Sequence, residues 1–141
     1  MWVVINENFV HVRQNLAASY LRRWSFTGAI YTSALSNIIL SEDMSFIGNT
    51  ASAGGGALSI SAPAALHVHG TKFKGNHAQF GGAIAMTSTE DAERTFDACT
   101  FDSNTATTDG GAMYFYTSAG QESIHTSWFQ NNFAGTTSML L

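Results

Sequence analysis

The chain has 141 residues, of which 45% are hydrophobic and 11% charged, with a formal net charge of −4 and a pI near 5.6. That length holds one domain with enough apolar material for a core, and the acidic balance argues against a nucleic-acid partner. The lone Cys99 excludes an internal disulfide, and no stretch approaches the roughly 18 apolar residues of a membrane-spanning helix.

The first element in chain order is the apolar run Trp2 to Ile5, followed at once by Asn6 and Glu7. It is too short, and wrongly flanked, for the apolar region of a signal peptide. No Asn-x-Ser/Thr glycosylation acceptor occurs in the sequence. Two readings fit residues 11–24. In one, Val12-Arg-Gln-Asn15-Leu-Ala17 is a worn copy of the repeat found further on. In the other, Leu16, Ala17, Tyr20, Leu21 and Trp24 form the apolar face of a helix that caps a solenoid, with Arg13, Arg22 and Arg23 outside. We favour the cap. Thr27-Gly28-Ala29-Ile30-Tyr31 then looks like a degraded Gly-Gly-Ala-Ile strand. Residues 1–45 are therefore expected to be a degenerate first coil, an N-terminal cap or both, and residues 46–141 the repeat coils of the same domain.

From Phe46 onward the sequence repeats. Phe46-Ile-Gly-Asn49 precedes Gly55-Gly56-Ala57-Leu58, Phe73-Lys-Gly-Asn76 precedes Gly81-Gly82-Ala83-Ile84, and Phe101-Asp-Ser-Asn104 precedes Gly110-Gly111-Ala112-Met113. A fourth copy starts at Phe129-Gln-Asn-Asn132 and runs out before its glycines. The phenylalanines stand 27, 28 and 28 residues apart, a period that marks a stacked-repeat protein, because so short a unit cannot bury its own apolar face.

Between the motifs lie β-type runs: Ala57 to Ile60, Leu66 to Phe73, Ala83 to Thr87, Thr95 to Phe101, Ala112 to Thr117 and Ile124 to Phe129. Several alternate with period two, and no unit carries a helical pattern of ten residues. Two or three strands per unit and no helix predict an all-β parallel β-helix of about four to five coils. In that arrangement each Phe lies on the Phe of the next coil, and each Asn serves a turn and ladders with its neighbours. The Gly-Gly pair lets one coil pass close beneath another. Alanine also recurs five residues after each Phe, at Ala51, Ala78, Ala106 and Ala134. The segments Ser61 to Ala65, Ser88 to Arg94 and Ser118 to Glu122 are the variable loops.

The pairing of Phe-x-x-Asn with Gly-Gly-Ala-Ile/Leu resembles the repeats of the polymorphic outer membrane protein family, strongly over residues 46–134 and weakly over 12–45. The resemblance implies a right-handed parallel β-helix, the passenger part of an autotransporter-like surface protein. It implies adhesion as the role, with the repeated tetrapeptides doing the binding. Carried onto this sequence, the residues are Phe46, Asn49, Gly55, Gly56, Phe73, Asn76, Gly81, Gly82, Phe101, Asn104, Gly110, Gly111, Phe129 and Asn132. No export signal or membrane barrel accompanies them, so the chain is expected to be a segment of a larger cell-surface, outer-membrane or extracellular protein.

Alignment on Phe also places Glu42, His69, Asp97 and His125 in one outward column, four residues before each Phe. Such a ladder suits a metal or acid/base patch; the plainer reading, a solvated face, is preferred. Gly54-Gly55-Gly56 lacks the following helix that a phosphate loop needs, and spacing puts no base beside Cys99. Tyr31 and Tyr114 share a column with Ser59 and Ala85, and Trp128 shares one with Ser45, Lys72 and Thr100, so these rings are candidates for contacts with sugars or a partner protein, although packing under a loop or cap is the preferred reading. The function expected is a non-enzymatic adhesive surface and stalk, without cofactor or metal. Its partner would be a protein or glycan on a host cell or other surface, and end-to-end self-association through uncapped coils is a further expectation. The competing reading is a polysaccharide-active lyase or glycosidase, which would need clustered carboxylates with Arg or Lys; a gene fragment without independent role is the third.

Overall fold

The computed structural model describes residues 2–5, 30–32, 37–40, 44–61, 65–88, 91–117 and 120–135. Residues 11–24, on which cap and worn coil compete, and Glu42 lie outside the described residues. The strands run in chain order as β1 (Trp2–Ile5) and β2 (Ile30–Thr32), then β3 (Asn37–Leu40), β4 (Ser45–Ile47) and β5 (Leu58–Ile60). The next coil contains β6 (Leu66–His69), β7 (Lys72–Lys74), β8 (His77–Phe80) and β9 (Ile84–Ser88). After it come β10 (Glu93–Asp97), β11 (Thr100–Asp102), β12 (Thr105–Asp109) and β13 (Met113–Thr117), and finally β14 (Gln121–His125), β15 (Trp128–Gln130) and β16 (Phe133–Ala134).

These strands form four parallel sheets: β1-β3-β6-β10-β14, β4-β7-β11-β15, β8-β12-β16 and β2-β5-β9-β13. The register is that of a solenoid, since Phe46 pairs with Phe73, Phe73 with Phe101, and Phe101 with Phe129. The protein is a parallel β-helix, as its period requires. It has about three turns, fewer than the four to five expected. Three coils have strands on the first, second and fourth sheets, whereas the flanking copies are partial: β1 and β2 on one side, β14 to β16 on the other. The fourth Phe-x-x-Asn lacks its Gly-Gly pair, and among the described residues it adds no strand to the fourth sheet.

Each run expected as a single strand from Leu66, Thr95 or Ile124 to the next Phe is in fact two strands meeting at a corner. The corner is one left-handed residue: Gly70, Ala98 and Thr126 have φ of 60°, 53° and 49°. A second left-handed column, Gly48, Gly75, Ser103 and Asn131, sits immediately before the motif asparagines, with φ of 64°, 61°, 56° and 55°. The turn conformation thus falls to the residue before Asn, and Asn itself supplies the hydrogen bonds.

The core fills the tube. Phe46, Phe73, Phe101 and Phe129 stack with centroid separations of 5.1, 4.8 and 4.6 Å and interplanar angles of 6°, close to the inter-strand spacing. Full burial of each such ring contributes about 1.5–3 kcal/mol. Leu40, Val68 and Phe96, and Leu58, Ile84 and Met113, form further buried columns. Ala51, Ala78 and Ala106 are buried as their crowded corner demands. Ile124, in the Phe96 column, is 38% exposed instead, because β14 is the edge strand of its sheet.

Candidate functional site

At the second glycine of each pair the backbones of neighbouring coils approach closely. Gly55, Gly81 and Gly110 have φ of 67°, 59° and 67°, where a side chain is strained. Gly56, Gly82 and Gly111 are packed against the backbone of the neighbouring coil, so a Cβ on Gly82 would stand 2.6 Å from the Thr105 nitrogen. Each pair is followed by a β-strand rather than by a helix, which leaves the Gly54-Gly55-Gly56 stretch no phosphate-cradling geometry.

The motif asparagines form a continuous amide ladder. Asn76 donates from its backbone N–H and from Nδ2 to Asn104 Oδ1, at 3.0 and 2.9 Å, and its Nδ2 also donates to the Phe46 carbonyl at 3.0 Å. Asn49 donates in the same way to Asn76 Oδ1, and Asn104 to Asn132 Oδ1 and the Phe73 carbonyl. Both N–H groups of the Asn76 and Asn104 amides are thereby used, as burial of a polar group requires. In each Phe-x-x-Asn, then, the outer two residues form a spine and the middle two face outward. Ile47, Gly48, Lys74, Gly75, Ser103, Gln130 and Asn131 are exposed, and Ile47 reaches 61%.

Asp102 is the exception in this outward column, being 7% exposed. Lys74 Nζ lies 2.9 Å from one carboxylate oxygen, and the Ser103 hydroxyl donates to the other at 2.8 Å. With Lys74 the largest cause, then Ser103, and Asn131 adding a further donor, the Asp102 carboxyl is held down at about 2. A depressed carboxyl contributes stability above its unfolded value of about 3.9 that disappears as pH falls through the folded value. Melting of the wild type should therefore drop toward that of Asp102→Asn between about pH 4 and pH 2. A gap between the two curves that stays constant over this range would remove the pair from the account.

The outward ladder is present where it is described. His69, Asp97 and His125 are in register, His69 Nδ1 lies 3.1 Å from Asp97 Oδ2, and the Thr126 hydroxyl donates to Asp97 Oδ1 at 3.1 Å. Beside it, His67 Nδ1 and Thr95 Oγ1 are 2.8 Å apart. Among the described residues no group of three His, Cys, Asp or Glu side chains is arranged to hold a metal. Cys99 is buried, and its Sγ donates to the Asp97 carbonyl at 3.3 Å; burial pushes the thiol up and outweighs the neighbouring hydrogen bonds, which disfavours a nucleophilic thiolate.

The sequence places Arg94 at the end of a variable loop, and the structure does not. Arg94 belongs to β10, pairs with Leu66 on one side and Glu122 on the other, and points into the tube, where it is fully buried. Its Nη1 donates to Glu122, its Nε lies 3.1 Å from Met86 Sδ, and its guanidinium carbon sits 5.4 Å from the Phe115 ring centroid. Nη2 has no partner. The available signal was period two: with Phe96 inward and Thr95 outward, position 94 faces the core.

Of the candidate aromatic side chains, Trp128 is 73% exposed, in register with Thr100 and through it Lys72 and Ser45. Tyr31 and Tyr114 share the column of Ser59 and Ala85.

The Chlamydia polymorphic membrane protein repeat is the family description that matches, at residues 43–61 and 98–114. Each matched stretch contains one Phe-x-x-Asn with the glycine pair that follows it, so the resemblance read from the motifs holds. No curated protein and no solved structure matches the chain. Repeat and solenoid together fit a segment of a surface protein, and no helix among the described residues is long and apolar enough to cross a membrane.

Proposed function

We propose that this segment is a non-enzymatic stalk and adhesive surface, and that the outward middle residues of the Phe-x-x-Asn tetrapeptides make the contacts. The observation that carries this reading is the division of labour within the motif. Phe and Asn are consumed by the spine, while Ile47 and Lys74 project from adjoining coils about 4.8 Å apart and Gln130 projects two coils beyond Lys74, with the buried Asp102 between them. A rigid row of this kind gives individually weak contacts that act together, so avidity rises with coil number. The partner chemistry that suits it is a protein or glycan on another surface. The resemblance to polymorphic membrane protein repeats supports the same role.

Beads coated with the chain should adhere to epithelial cells. The double variant Ile47→Asp, Gln130→Arg should lose about tenfold or more of that adhesion while its circular dichroism and melting stay unchanged, since exposed substitutions away from structural features cost little stability. Full adhesion by the folded double variant would overturn the assignment of the contact residues.

A further inference from the structure

The fourth sheet differs from the other three in having no charged residue in any of its strands: Ile30–Thr32, Leu58–Ile60, Ile84–Ser88 and Met113–Thr117. The first sheet carries Glu93, Arg94, Asp97 and Glu122, the second Lys72, Lys74 and Asp102, and the third Asp109. On a chain of net charge −4, this face is electrically blank. Its exposed residues are Tyr31, Ser61, Thr87 and Tyr116, with Ser59 and Tyr114 half-buried and Ala85 buried between them.

Tyr31, Ser59, Ala85 and Tyr114 follow one another in register across four strands, so the two tyrosines close a strip of three coil steps, about 14 Å long. The Tyr31 hydroxyl and Ser61 Oγ are 3.0 Å apart at one end. At the other end the Phe80 ring packs against Tyr114 with centroids 5.2 Å apart, and Tyr116, paired with Thr87, stands 67% exposed. Between the rings the surface offers Ser59, Ser61 and Thr87.

We propose that this strip binds a neutral oligosaccharide of about three sugar units lying along the solenoid axis. Sugar rings present flat C–H faces to aromatic side chains and hydroxyls that both donate and accept, the combination that Ser and Thr match. The units of an extended sugar chain repeat at close to the coil spacing, so contacts stay in step from one coil to the next. An ionised ligand would give up hydration on this face without meeting a counter-charge. An extended peptide is poorly matched, because it binds along an open strand edge, whereas the strip crosses the face of the sheet from β2 to β13. The strip lies on a different sheet from the tetrapeptide column, so this inference and the adhesive reading can fail separately.

The test is titration of the full chain with maltotriose, cellotriose and triacetylchitotriose, followed through the tyrosine ring signals by nuclear magnetic resonance, with trigalacturonate as the charged control. At least one neutral trisaccharide should shift Tyr31 and Tyr116 saturably. Tyr116→Ala and Thr87→Arg, both at exposed positions, should each weaken binding about tenfold or more without loss of fold, and Ile47→Asp should leave it unchanged. No saturable shift with any of the three sugars would overturn the proposal. So would equal binding by trigalacturonate, undiminished binding by folded Tyr116→Ala, or ring shifts that follow protein concentration instead of sugar.

Discussion

Gly82→Ala should destabilise the protein by about 3–5 kcal/mol and lower its melting temperature by about 10–20 °C. The added Cβ meets the Thr105 nitrogen at 2.6 Å and the Thr105 carbonyl carbon at 2.8 Å, and it also collides with the Gly111 carbonyl oxygen. All of these are backbone atoms of the adjoining coil, so no rotamer change relieves the overlap. The coils must separate, which weakens the Gly82 to Gly110 hydrogen bond and its neighbours. In a solenoid the loss is concentrated at one interface, since each coil contacts only the next. Gly75→Ala is the matched comparison: Gly75 has φ of 61° but nothing within 4 Å of an added Cβ, so only the backbone strain of about 1–2 kcal/mol applies. Thermal melts of the two variants decide the matter. Equal costs would mean that the glycine pairs are selected for their turn alone and not for coil-to-coil contact.

Asn104→Asp should cost about 3–5 kcal/mol at neutral pH, although it changes one atom type. Asn104 is fully buried, and its Nδ2 donates at 3.1 Å to the Phe73 carbonyl and at 2.9 Å to Asn132 Oδ1. A carboxylate there would turn two hydrogen bonds into two oxygen–oxygen repulsions and bury a charge without a cation. Protonation restores one donor and removes the charge, so the folded variant holds its proton more tightly than the unfolded chain does. Its deficit relative to wild type should therefore shrink as pH falls, the opposite of the trend for the Asp102 pair. Denaturant melts at neutral and acidic pH measure both arms; a deficit under about 1 kcal/mol, or one independent of pH, would show the ladder to be dispensable.

The features legible in the sequence are those that repeat identically. Phe, Asn and the glycine pairs recur at fixed spacing because each occupies a column in which every coil imposes the same constraint, and from them the parallel stacking, the ring spacing and the Asn ladder all follow. What varies within a column was hard to read. The corner at Gly70 was hidden because its equivalents Ala98 and Thr126 carry no turn signal, although all three are left-handed; neighbouring coils hold them there. The strands β8 and β12 went unmarked because His77–Phe80 and Thr105–Asp109 alternate weakly, their apolar requirement being met by a single alanine in each. Among the site residues, the register of His69, Asp97 and His125 was visible, as was that of the tyrosines. The burial of Arg94 was overlooked because its polar loop neighbours outweighed the period-two pattern.

Arg94 and Glu122 also bear on a hazard of any chain made of near-identical turns. Threaded one turn out of place, Phe would still meet Phe and Asn would still meet Asn, so the spine alone leaves correct and slipped arrangements close in energy. The Arg94–Glu122 and Lys74–Asp102 pairings each join one specified turn to the next. A slipped thread would strand Arg94 among Leu and Ile side chains, at a cost well above any gain from the extra overlap, and would take the half-exposed Lys74 away from the buried Asp102 carboxylate. The two pairs act as keys that number otherwise interchangeable turns, so the oddest residue in the tube is also the one that tells each coil its place.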